Sequence, residues 1–128
     1  MATVNADLTA RETASLIAAD KVDGTDVRNS QGESLGTIER VMLDKVSGKV
    51  AYAVMRFGGF LGVGADRHPI PWNLLKYDTG VGGYVLNLSS SQLQGAPRLD
   101  DDFDRGSFSD REWREPLYRH YGATPYWD

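Results

Sequence analysis

The sequence predicts a small, mainly β protein: an antiparallel barrel with short helices and an aromatic C-terminal arm. Three observations predict it. Glycine is abundant at 14 of 128 residues, which favours a turn-rich β fold over a helical bundle. Apolar residues alternate in short runs separated by turn clusters. Seven of the 13 aromatic residues lie after Arg98. At 14.1 kDa the chain has the size of one domain and can bury roughly two-thirds of its unfolded surface.

The elements follow in order. Residues 22–28 read as a first strand, ended by the turn cluster Asn29-Ser30-Gln31-Gly32. Residues 35–43 follow, with Thr37, Glu39, Val41 and Leu43 on one side. Asp44-Lys45-Val46-Ser47-Gly48 then makes a hairpin loop, with Asp44 as the turn-maker and Gly48 at the positive-φ position. Residues 49–57 are the strongest strand. Val50, Tyr52, Val54 and Arg56 share one face, Ala51, Ala53, Met55 and Phe57 the other; both are mostly apolar, so both should be covered. Pro69-Ile70-Pro71-Trp72, following His68, reads as an extended stretch leaving the barrel. Tyr84, Leu86 and Leu88 alternate in a last strand, entered through Gly80, Gly82 and Gly83. Ser89 and Gln92 form a capping box, with Leu88 and Leu93 as the staple pair, and Gly95 and Pro97 stop that helix after little more than a turn. Ser109 and Glu112 repeat the pattern with Phe108 and Trp113, but Pro116 should interrupt and open a second short helix running to Tyr121.

Composition excludes several chemistries. No cysteine means no disulfide, thiolate site or cysteine nucleophile, and two histidines, His68 and His120, cannot build a multi-histidine metal site. A formal net charge of −4 disfavours nucleic-acid binding. No apolar run reaches the ~18–20 residues of a membrane span. The first twenty residues carry Asp7 and Glu12 where a secretory signal needs an apolar core, so a cytoplasmic location is expected, with membrane contact at most peripheral. Charge divides the chain: residues 22–96 carry seven charges of each sign, whereas 97–128 carry five positive and eight negative. The expected organisation is therefore an N-terminal extension at 1–15, a barrel domain at 16–97, and an acidic linker with an aromatic arm at 98–128.

Candidate motifs for chemistry fail one by one. The glycine run at 58–64 has the interval of a phosphate loop, but Ala65-Asp66 stand where Lys and Ser/Thr are required. Asp66 and His68 lack a third partner nearby in sequence, so His68 reads as structural. The acidic run from Asp100 places Arg105 and Arg111 where a calcium loop needs glycine and glutamate. No nucleophile elbow occurs. The expectation is a non-enzyme without metal or cofactor.

The segments Lys21-Val-Asp-Gly-Thr-Asp-Val-Arg-Asn, Gly32-Glu-Ser-Leu-Gly-Thr-Ile-Glu and Val41-Met-Leu-Asp-Lys-Val-Ser-Gly-Lys-Val-Ala-Tyr-Ala-Val, followed by Phe57-Gly-Gly-Phe-Leu-Gly-Val-Gly, His68-Pro-Ile-Pro-Trp, Lys76-Tyr-Asp and Gly83-Tyr-Val-Leu, resemble the PRC-barrel domain over roughly residues 16–97. That family includes the cytoplasmic barrel of the photosynthetic reaction centre H subunit and the C-terminal domain of the ribosome maturation factor. The tail from Tyr118 to Trp127 resembles that of small stand-alone alphaproteobacterial members. The resemblance implies a shared scaffold rather than a shared chemistry.

The expected function is a non-catalytic protein-interaction or assembly module, acting as a homodimer and on an unidentified protein partner. Candidate contact residues are Phe57, Phe60, Leu61 and Val63 of the glycine-rich loop, Trp72, and Trp113, Tyr118, Tyr121, Tyr126 and Trp127 of the arm. The alternative is a small-molecule or membrane-surface binding protein using the 57–63 loop. The arm either folds back over its own barrel or wraps another chain.

Overall fold

One six-stranded sheet organises the protein, in the order β4-β3-β2-β1-β6-β5. The computed structural model describes residues 12–13, 15–57, 66–99 and 110–127. The strands are β1 (Asp26–Arg28), β2 (Ser34–Leu43), β3 (Val50–Phe57), β4 (Asp66–Pro71), β5 (Lys76–Asp78) and β6 (Gly83–Val85); the helices are α1 (Ala19–Val22), α2 (Ser90–Gln94) and α3 (Asp110–Tyr121).

The β2–β3 hairpin is the centre of the sheet and forms as the sequence dictates. Asp44 Oδ1 accepts from the Val46 and Ser47 amides, and Gly48 takes φ +78°. Gly36 is required by contact: a Cβ there would lie 1.9 Å from the Arg56 carbonyl oxygen. Two irregularities punctuate the ladder. On β2, Glu39 is passed over between Ile38 and Arg40. On β3, Ala51 is passed over, because Met42 pairs Tyr52 and Leu43 pairs Val50. Such bulges re-aim side chains. The second turns Ala51 onto the face of Tyr52 and Val54.

Several expectations need correcting. The sheet is mixed, not antiparallel: β1 runs parallel to β6, with Val27 opposite Tyr84. These strands are far apart in sequence, so no hairpin forces them to run opposite ways. Among the described residues the barrel is not closed either, since β4 and β5 remain edges. The sheet must nevertheless curl. Flat, its outer strands would stand about 24 Å apart. The link from Pro71 to Lys76 contains the 3-10 turn Trp72–Leu74 and spans at most ~13 Å. The first strand begins at Asp26 rather than Val22, which instead ends α1, because Gly24 turns the chain at φ +84°. Residues 66–71 do not leave the sheet; they pair along β3 from Phe57 to Tyr52. The last strand ends at Val85, although Leu86 still donates its amide to the Arg28 carbonyl.

Helix α2 carries the predicted capping box: the Ser89 hydroxyl accepts from the Gln92 amide, and Gln92 accepts from that of Ser89. Helix α3 runs unbroken through Pro116. Proline removes the bond to the Glu112 carbonyl, but Trp113, Leu117, Tyr118 and Tyr121 lie on one face and pack. Ser109 and Phe108, the other halves of the predicted start signal, lie outside the described residues.

Candidate interaction surface

Both faces of β3 are covered, by different parts of the chain. Ala53 and Met55 belong to the main core with Val27, Ile38, Ile70, Tyr84, Leu86 and Leu93. Ala51, Tyr52 and Val54 form a second cluster with Leu99, Trp113 and Tyr126. The aromatic arm therefore packs on its own sheet.

Its anchoring is specific. The bulged Ala51 has no register partner on β2 or β4. Its carbonyl instead accepts from the Tyr118 hydroxyl. Around that bond the Trp113 indole meets Tyr52 edge-on at 4.9 Å, Tyr118 contacts Trp127 at 4.9 Å, and the Arg114 guanidinium stacks over Trp127 at 4.5 Å. Burial raises the Tyr118 phenol above its ordinary pKa and pushes that of Tyr121 up to about 12.

The root of the arm is fixed on β4. His68 is fully buried, and its Nδ1 lies 2.9 Å from the Pro97 carbonyl oxygen. A carbonyl only accepts, so the proton sits on Nδ1 and leaves Nε2 bare and buried, with no hydrogen-bond partner among the described residues. Burial lowers the imidazole pKa, opposed by the Pro97 bond and the Asp66 charge. His68 also meets Phe57 edge-on. Beside it, Leu99 donates its amide to the Arg67 carbonyl, and Arg98 pairs with Asp66 at 3.3 Å. The expected structural role of His68 is what this geometry describes.

The candidate contact residues are thus dispersed. Trp113, Tyr118, Tyr126 and Trp127 pack together in the arm. Phe57, Trp72 and Tyr121 pack against the main core. Phe60, Leu61 and Val63 lie outside the described residues. Among the described residues, the exposed large apolar side chains are Met42, Leu43 and Val46 at the β2–β3 hairpin end, Tyr77 and Val81 at the β5–β6 end, and Leu16. Val46 is 97% exposed. Its position between Asp44 and Gly48 was the available signal, because a turn cannot bury its tip. Arg40, Lys45 and Lys49, also exposed, are close to this group in sequence. The Asp44 carboxyl, held below its usual range by the Val46 and Ser47 amides, is engaged in the turn.

Among the described residues, no three His, Asp or Glu side chains gather as a metal site, and no helix is long and apolar enough to cross a membrane. The family model of the PRC-barrel domain matches residues 15–93. The chain belongs to the PRC-barrel family. No curated protein matches it. The matched span ends within α2, so the PRC-barrel unit contains all six strands, and the arm that covers Tyr52 and Val54 lies beyond it.

Proposed function

We propose that this PRC-barrel chain is a non-catalytic protein-interaction module that works as a homodimer and holds a further protein partner. One observation carries the reading. The described arm aromatics pack on the chain's own fold, yet apolar side chains stand in water at two hairpin ends, around Val46 and around Tyr77 and Val81. Clustered exposed apolar groups mark interfaces, and closed two-fold dimers are the commonest assembly. Light scattering after gel filtration should give twice the chain mass. A monomer at tens of micromolar refutes the homodimer. For the further partner, Leu43→Ser with Val46→Asp should leave the far-ultraviolet spectrum intact and lose a protein that the unaltered chain retains from the native cell. Equal retention by both chains refutes that role of the hairpin end.

A second reading is favoured by the cations. Exposed Arg40, Lys45 and Lys49 lie within a few residues of exposed Met42, Leu43 and Val46 in a chain that is otherwise acidic, a combination suited to an anionic membrane surface. Sedimentation with phosphatidylglycerol vesicles, lost in high salt and absent with phosphatidylcholine, supports it. No sedimentation with either refutes it.

A further inference from the structure

The two edges of the sheet are treated differently by the sequence. On β4, Arg67 turns its carbonyl outward, where Leu99 takes it. Residues 69 and 71 share that outward direction, and both are proline, so β4 offers no outward N–H at either position. This edge is shut to any added strand. The edge at β5 carries no such device. Lys76, Tyr77 and Asp78 are all exposed. Among the described residues, the backbone bonds of β5 are those to β6 and those that the Val81 and Gly82 amides make to the Asp78 carbonyl.

The three side chains of β5 are self-complementary. In an antiparallel pair of two copies centred on Tyr77, Lys76 of each faces Asp78 of the other. A parallel pair in register sets Lys76 against Lys76 and Asp78 against Asp78. Opposite charges directly across a strand pair are stabilising and like charges are not, so the sequence selects the antiparallel, two-fold arrangement. The centre is already ordered for it. Tyr77 meets Tyr84 edge-on at 5.1 Å, and its hydroxyl donates to Glu12. Val81, 60% exposed in the adjoining turn, supplies apolar surface beside the axis.

We infer that β5 is the self-association edge: two copies pair antiparallel across a two-fold axis at Tyr77 and continue one sheet into the other. This rests on the homodimer reading above and names its surface and register. The strand is short, so the pair is a weak, concentration-dependent dimer.

Two charge variants test the inference. Lys76→Asp sets acid against acid across the axis, and Asp78→Lys sets base against base. Sedimentation equilibrium on each alone should show the dimer Kd raised about tenfold or more. Mixed in equal amounts, the two restore both charge pairs and should form a heterodimer near the original affinity. Asp78 also accepts from the Gly80 amide, so an independent readout is needed where that turn loosens. The chain has no cysteine. Tyr77→Cys therefore introduces a single thiol, which should oxidise to a disulfide-linked dimer, because antiparallel partners stand ~4.5–5.5 Å apart at Cα, within disulfide reach. Val46→Cys, at the opposite hairpin, should not. If the unaltered chain dimerises but neither charge variant weakens it and Tyr77→Cys does not cross-link, the β5 assignment is overturned while the homodimer stands. A monomeric unaltered chain overturns both.

Discussion

Tyr118→Phe removes one oxygen from the protein and should cost more than its size suggests. The ring is 3% exposed and would keep its contacts with Trp127 and Tyr126. What disappears is the donor to Ala51, a buried residue that the β3 bulge leaves without a partner on either neighbouring strand. An isolated buried acceptor costs about 1–3 kcal/mol. For a domain of this length that lowers Tm by roughly 5–10 °C. Urea unfolding followed by far-ultraviolet circular dichroism measures the loss, and near-ultraviolet dichroism reports whether the arm aromatics stay ordered. Tyr118→Ala, which also empties the ring's site, should cost more, about 3–5 kcal/mol. The alkaline limb gives a second signature. Folding raises the phenol pKa of Tyr118 and Tyr121 above 10. Above pH 10 the unfolded chain therefore releases protons that the folded chain keeps. The stability these groups contribute is complete below pH 10 and is lost as pH climbs towards their folded values. Tyr118→Phe should decline less steeply there. A change under ~0.5 kcal/mol at neutral pH would show that the Ala51 carbonyl finds another donor, and that the bulge does not depend on the arm.

The remaining predictions concern the root of the arm, the sheet centre and the arm as a whole. His68 is held below its ordinary pKa by burial, so its contribution to stability is present above pH 6.5 and is lost as pH falls through the folded value. His68→Asn, which can still donate to Pro97 but cannot titrate, should flatten the stability profile below pH 6.5; equal slopes would refute this. Gly36→Ala drives a methyl into the Arg56 carbonyl, and should cost at least ~1–3 kcal/mol or abolish the cooperative transition; an unchanged urea midpoint would mean that β2 and β3 can separate freely. Removing residues 98–128 uncovers Ala51, Tyr52 and Val54 and should leave a β-type spectrum with a net loss of about 1–3 kcal/mol, since burial of the arm is largely offset by the cost of ordering it. Binding of an apolar dye should rise, and unchanged dye binding would show that the face stays covered without the arm.

Local chemistry was legible in the sequence wherever a few neighbouring residues settle a conformation. Asp44 and Gly48 specify the hairpin turn, Ser89 and Gln92 specify the start of α2, and the two apolar faces of residues 49–57 announce a strand covered twice. The ordered segments from Lys21 to Leu86 pointed to the family for the same reason, because each is a turn or strand signal at a characteristic spacing. What covers the second face of β3 was open, since burial demands an apolar partner without naming it. Tertiary structure decided that the partner is the chain's own arm. It did so through a long-range hydrogen bond, from Tyr118 to Ala51, that no local pattern encodes. The bulge at Ala51 and the parallel pairing of β1 with β6 were illegible on the same ground, since both depend on register between distant segments. Pro116 shows propensity giving way: one missing hydrogen bond weighs less than four aromatic and aliphatic side chains finding a surface. Both edges carry their signals in sequence, Pro69 and Pro71 on one and Lys76-Tyr77-Asp78 on the other. Only the strand order revealed that these are edges at all, because a strand becomes an edge by what fails to pair with it.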